Sequence, residues 1–461
     1  MNDLDPVSVP RLRKGAAALP ALLSARRNLL AIWDEKAFRA ATFEFKLLRQ
    51  PYFVCNSADT VRRVFLEEHD NYDRKSPQMR RALRPLLGDG LFVSDGELWR
   101  QRREHCTPAF DPRLMAGFAT VMTESARELA DRWDGLGPDA EVDMLGEMGR
   151  LTARIIGRSL FGDDTSEAEA AQVVAGFARF QRDAEQVGIA DSMGMPALRG
   201  LRNPWSAWRA RRAMADVHEV IDRVIARHRQ RAPAVPTLLS LLIDGQDARA
   251  SAPRRCPLHP QAARNEAIVM FMAGHETTAN ALAWAWYLLD HAPEVAQRMH
   301  AELDAVLGAR APTLDDVEQL RYTRAVFEET MRLYPPVPLL SRQARHGDTI
   351  RGQAIAPGTI ILVVPWLLHR HELYWERPNR FEPERFLDPA PRPDKFIYLP
   401  FSGGRRVCLG LRFGLTEGVL CLATLAQRFR PRLRAGHRVE IECRLTLRAR
   451  GGLPMRLLAR R

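Results

Sequence analysis

Cysteine is scarce in this chain: six in 461 residues, Cys55, Cys106, Cys256, Cys408, Cys421 and Cys443, with no CxxC pair among them. Scattered thiols of this kind exclude a disulfide scaffold or a zinc ribbon and point to reduced, intracellular cysteines. The N-terminus lacks a basic segment running into an apolar core and a small-residue cleavage site, and carries Asp3 and Asp5 instead, so no signal peptide is expected. A long uninterrupted apolar run is missing too. Residues 268–289 come nearest, but His275, Glu276, Thr277, Thr278 and Asn280 stand in their middle, where hydrocarbon would penalise them heavily. That stretch reads as a buried helix, and a cytoplasmic protein with no transmembrane anchor is the expectation. No repeat of fixed period appears, which excludes a solenoid.

What is present is ordinary for a globular enzyme: 46% hydrophobic and 27% charged residues, enough to bury a large core. The formal charge of +12 reflects 68 basic against 56 acidic residues. Such an excess attracts nucleic acid, anionic lipid or an acidic protein. The arginines are spread along the chain without the clustered stripe and interleaved aromatics of a nucleic-acid module, so no nucleic-acid partner is expected.

Two short strands are expected at 42–48 and 52–55, with Asn56 or Ser57 capping a helix over 61–68. From 114 to 231 the pattern is helical, broken at 135–138, near Gly162 and through 194–204. Residues 231–260, rich in proline and arginine, read as a surface connection. Hairpins are expected where 349–351 and 359–364 flank Pro357-Gly358, and where 439–448 and 455–458 flank Gly451-Gly452. The fold class is therefore mainly α with a small segregated β-sheet, an α+β arrangement, in one catalytic domain spanning 1–461. A monomer is the default.

A lone cysteine is usually a small buried hydrophobe. Cys408 differs because Phe401, Gly404, Arg406, Cys408 and Gly410 stand at the spacing FxxGxRxCxG, leading into an apolar helical run over 411–429. In these residues the chain resembles the cytochrome P-450 family of haem-thiolate monooxygenases, and its soluble bacterial type. The resemblance runs at least from Trp99 to Gly410. It implies a long central helix over haem b, with Cys408 as the axial thiolate; such a ligand pushes electron density onto iron and favours O–O cleavage. Glycines 403, 404 and 410 are expected to permit positive φ and close backbone approach to a flat macrocycle. A helix N-terminus and backbone donors would stabilise the thiolate.

Three further motifs are similar to those of the family. Ala273-Gly274-His275-Glu276-Thr277-Thr278 matches its oxygen-activating segment. A Thr277 hydroxyl bonded back to the carbonyl of Ala273 would bend the helix and make room for water, which Glu276 would connect to solvent. The resemblance makes Thr277 and Glu276 the pair that delivers protons to dioxygen. Glu329-Thr330-Met331-Arg332 and Pro383-Glu384-Arg385-Phe386 match the ExxR and PERF segments, implying a network of Glu329, Arg332 and Arg385 that holds the Cys408 loop. The helix with Trp99 and Arg103 matches WxxxR, so Trp99, Arg103, Arg406 and Arg342 are the candidates to bind haem propionates, with Phe401 and Gly410 packing on the cofactor. His369 and His371 flank Arg370 at a spacing better suited to packing or surface roles than to a metal.

These readings imply insertion of one oxygen atom from dioxygen into a hydrophobic substrate such as a fatty acid or terpenoid. Ala273, Val337 to Leu340, the segment before Trp99 and residues 177–204 would line the pocket. The 53 residues after Cys408 are too few for a flavin or iron-sulfur domain, so a ferredoxin or flavodoxin with its NAD(P)H reductase is expected, docking by charge on Arg100, Arg102 and Arg405. Rival readings are a haem-thiolate isomerase, dehydratase or peroxygenase, and a non-catalytic haem sensor. The retained Glu276 and Thr277 weigh against both.

Overall fold

The structure is a computed structural model, described here for residues 28–47, 49–137, 139–162, 165–183, 204–230, 237–243, 258–443 and 445–460. Its longer helices are α1 (Pro77–Leu87), α2 (Gly96–Cys106), α3 (Met115–Asp134), α4 (Met144–Phe161), α5 (Glu167–Asp183), α6 (Pro204–Gln230), α7 (Pro260–His291), α8 (Pro293–Val306), α9 (Arg321–Leu333) and α10 (Leu411–Ala426). α7 is apolar on nearly every side, the pattern of a helix with no solvent face. Phe271, Trp284 and Trp286 are among its buried side chains. α4 packs along α7, α9 and α10 cross it, and α5 pairs with α6 as a separate layer. One hydrophobic cluster runs from Leu30 to Leu457. No helix among the described residues is long and apolar enough to cross a membrane.

The helical run after residue 114 breaks where expected at 135–138 and at Gly162, whose φ of 63° closes α4. Residues 194–203 lie outside the described residues, as do most of 231–260 and Cys256. Ser57 caps a short helix, Ala58–Arg62, that continues as a wider turn over Arg63–Glu67.

The strands are β1 (Thr42–Leu47), β2 (Gln50–Cys55), β3 (Glu141–Asp143), β4 (Leu340–Gln343), β5 (Asp348–Ile350), β6 (Gln353–Ile355), β7 (Ile360–Val363), β8 (Arg432–Leu433), β9 (Ile441–Cys443), β10 (Leu447–Ala449) and β11 (Pro454–Arg456). The main sheet has the order β1-β2-β7-β4. β7 runs parallel to β2 and antiparallel to β4. Both expected hairpins are corrected. β5 pairs with β6 around Arg351 and Gly352, both at positive φ as a two-residue turn requires, and β7 is free to join the main sheet. Its four residues are all buried, as a strand inside a sheet allows and a surface hairpin arm does not. Likewise β9 pairs with β10, and β11 pairs with β3 and β8.

Candidate active site

The segment before α10 is a tight loop. The Cys408 N–H donates to the Phe401 carbonyl at 2.9 Å. Gly404 has φ 63°, and a Cβ there would stand 2.0 Å from the Phe65 carbonyl oxygen, so only glycine fits. The expectation of positive φ at Gly403 and Gly410 is corrected: their φ values are −155° and −81°, and the second left-handed residue is Ser402 at 61°. Cys408 is reachable by solvent, yet protein surrounds it closely enough that burial pushes its thiol up. Both hold for a residue on the floor of an internal recess. The Gly410 N–H and the nearby Arg103 oppose that effect by favouring the thiolate.

Around this loop stand four cations, Lys75, Arg103, Arg342 and Arg406. None makes a carboxylate pair among the described residues. Lys75 and Arg342 are 7% and 3% exposed. Burial, then the neighbouring Arg342 and Arg406, pulls Lys75 well below its ordinary range, and Arg342 is pulled down to about 9 by burial and Arg406. Arg406 donates to the Ser94 carbonyl at 2.9 Å and lies 4.4 Å over the Trp99 ring, while its Nε has no partner. Arg103 donates to the Val407 carbonyl at 2.6 Å. The neighbouring Asp73 and Asp95 are already paired with Arg345 and Arg80, so the like charges gathered here leave room for an anion with more than one charge. Two carboxylates of a haem satisfy that need, so the residues fit the cofactor. Lys75 has no motif around it, and nothing in the sequence singles it out.

On α7, the Thr277 hydroxyl donates to the Ala273 carbonyl at 2.6 Å, and Ala273 is exposed in a helix otherwise almost wholly buried. Glu276 accepts from Thr446 at 2.7 Å and from Gln181 at 2.9 Å. Burial pushes its carboxyl up against the opposing effect of Thr446, Arg448 and Gln181. It is thus anchored to α5 and to the turn before β10. Val337 is half-buried.

The Glu329–Arg332 pair lies at 0% exposure, with contacts of 2.6 and 2.7 Å. The remaining guanidinium protons go to the carbonyls of His369, Pro378 and Arg380, so all five donors are used. Arg385 stands 3.5 Å from Glu329, and bonds Glu382 at 2.5 Å. His369 extends this network. Its Nε2 accepts from the Leu399 N–H at 2.8 Å, which leaves Nδ1 to donate to the Arg332 carbonyl at 3.2 Å. A histidine assigned to packing or surface thus connects α9 to the strand of chain entering the cysteine loop. Its place at the end of the apolar run 360–368 was the available signal. Arg370 is buried against the Trp366 ring at 3.7 Å. No group of metal-ligating side chains occurs among the described residues.

The model of the cytochrome P-450 family matches residues 30–452. The chain belongs to the cytochrome P-450 family. It is 31% identical over 436 residues to cyclooctatin synthase of Streptomyces melanosporofaciens, covering 93% of this chain and 91% of that one. It is 32% identical over 363 residues to cyclooctat-9-en-7-ol 5-monooxygenase of the same organism, covering 76% and 74%. A human relative, cytochrome P-450 4V2, is 28% identical over 410 residues, covering 82% and 74%. This P-450 is therefore a haem monooxygenase, and its family carries a cysteine thiolate as axial ligand and uses dioxygen, a substrate and redox partners. Arg102, expected on the docking face of this P-450, instead points inward to the buried Glu266 at 3.5 Å. Arg100 and Arg405 are exposed and both lie near Asp70.

Replacing Arg332 by Met removes all five donors and leaves Glu329 as an unbalanced buried carboxylate. We expect a loss of about 3–5 kcal/mol and little haem incorporated, measured by thermal unfolding and haem content. Gly404→Ala should also lose haem, and Gly403→Ala, whose Cβ comes no closer than 3.0 Å, to the Leu399 side chain, should lose less. His369 is pulled down to about 3 by burial and the neighbouring Arg332. Unfolding returns it to about 6.5, so the unfolded chain binds more protons and stability falls as pH drops from about 6.5 toward 3. His369→Gln should flatten that part of the Tm profile; curves parallel to wild type would contradict the assignment.

Proposed function

We propose that Cys408 is the axial ligand of haem b in one catalytic domain, and that the protein hydroxylates a neutral, apolar, terpenoid-like substrate between Ala273 of α7 and the haem. What carries this reading is the accessible thiol on a locked loop beside the buried Lys75 and Arg342 and the half-buried Arg103 and Arg406, none of which forms an ion pair among the described residues. When bound, the haem supplies one-electron and dioxygen chemistry. Arg342, Arg406 and Lys75, with Trp99 and Arg103 beside them, would hold its propionates, and Phe401 and Gly410 would pack against it. The names of two relatives, cyclooctatin synthase and cyclooctat-9-en-7-ol 5-monooxygenase, favour a terpenoid over a fatty acid.

The proton path follows from the α7 turn. The Thr277 hydroxyl donates to Ala273, which leaves its oxygen lone pairs to accept a hydrogen bond on the recess side. Glu276 keeps its proton to a higher pH than an ordinary carboxyl and stands one residue away. It serves as the reservoir from which Thr277 is supplied. Electrons come one at a time from a separate acidic ferredoxin or flavodoxin with its NAD(P)H reductase, docking where Arg100 and Arg405 face solvent.

With a surrogate ferredoxin system, Thr277→Ala and Glu276→Gln should each lower product formation by about 10² while NAD(P)H oxidation continues. Unchanged product yield in both would contradict the proton roles. Electron transfer should slow as ionic strength rises, and a rate indifferent to salt would remove the docking face. Product formed at an undiminished rate without any electron donor would replace monooxygenation by an isomerase or peroxygenase reading.

A further inference from the structure

A cavity of about 710 Å³ lies between α4 and α5. It is not the cysteine recess. On α7 it meets His275, Glu276, Ala279 and Asn280, and successive helical residues turn by about 100°, so His275 and Ala279 face roughly away from Ala273. The gap has a simple cause in sequence. Gly149, Ala153 and Gly157 of α4 stand opposite Ala175 and Ala178 of α5, and side chains this small cannot fill the space between two helices. Leu129, Val174 and Phe177 complete apolar walls.

The floor is polar, and its one arginine, Arg448, is paired with Glu442. Burial pulls His275 down to about 4 and pushes Glu276 up. His275 and Asn280 are 7% and 2% exposed, and each keeps a buried nitrogen, Nδ1 and Nδ2, without a partner among the described residues. A ring or amide flip exchanges which atom faces the cavity without changing shape. The arginines at the rim are already paired, Arg132 and Arg150 with Glu147, and Arg154 and Arg158 with Glu128, so they offer no free anion subsite. Cavities of this size with apolar walls and a few polar groups suit small organic molecules.

We propose that this cavity is a second binding site, separate from the haem side of α7, for a neutral apolar molecule carrying a hydroxyl, of terpenoid-alcohol size. Its hydroxyl meets His275 and Asn280, and its body lies between the small residues of α4 and α5. Because Glu276 and its partner Gln181 both belong to the wall, occupancy bears directly on the carboxyl that Thr277 draws on.

The test is equilibrium dialysis of the holoenzyme against tritiated farnesol, with 4-phenylimidazole saturating the iron. Wild type should retain about one equivalent per chain. Ala153→Phe and Ala178→Phe, which fill the cavity from opposite walls, should each weaken retention at least tenfold while keeping the 4-phenylimidazole shift of the Soret band. No retention by wild type, or equal retention in both variants, would overturn the second site. The blocking step rests on the haem reading: if 4-phenylimidazole leaves the Soret band unmoved in wild type, that reading has failed, and the two wall variants still decide the cavity.

Discussion

The guanidinium of Arg332 is the fixed point of this molecule. It is wholly buried, its charge is balanced by Glu329, and each of its five protons has an acceptor. Desolvating such a pair is costly, and only complete hydrogen bonding offsets that cost. The acceptors come from α9 itself and from residues 369, 378 and 380, so the meandering chain between β7 and the cysteine loop has one permitted path. His369 then transmits that path to Leu399, and Leu399 enters the loop that ends at Cys408. A thiol must sit at a fixed height below a flat cofactor, and this is how an irregular segment can hold one.

A second constraint has the opposite sign. Lys75, Arg103, Arg342 and Arg406 are held close without an ion pair of their own, the neighbouring Asp73 and Asp95 being paired with Arg345 and Arg80, and a multivalent anion would relieve their mutual repulsion. The protein is thus built for a cofactor whose charge completes it. The two constraints meet at Arg406, two residues before Cys408, which reaches back to Ser94 and stacks on Trp99. α7 sits between two spaces, with Thr277 on one side and His275 on the other, and Glu276 is tied to elements beyond the helix.

Much of this was legible in the sequence because it depends on spacing. The cysteine loop, the α7 segment and the ExxR helix are short-range patterns, and the residues in them lie where local geometry requires. The long apolar run became the buried α7 because polar residues in its middle find partners there, Thr277 on the Ala273 carbonyl and Glu276 on Thr446 and Gln181. The hairpins were misread because turn residues alone do not say which strands pair: Pro357-Gly358 marks a turn, but the burial of β7 on both faces sends it to β2. Positive φ was rightly expected at Gly404 and wrongly at Gly403 and Gly410, because Ser402 takes a conformation its residue type disfavours. Arg102 was assigned to the surface by proximity to Arg100, although neighbouring helical positions point about 100° apart. Lys75 stands beside Arg342 and Arg406, hundreds of residues away, and His369 acts through Arg332 and Leu399, 37 and 30 residues away, and no local pattern announces either.

The central claim is that Cys408 binds haem iron as a thiolate. The most direct measurement is the absorption spectrum of the purified protein, reduced with dithionite and saturated with carbon monoxide. The account predicts a Soret band shifted far to the red in wild type and absent in Cys408→Ala. A spectrum like that of histidine-ligated haem in freshly folded wild type, or a red-shifted band that survives in Cys408→Ala, would contradict it.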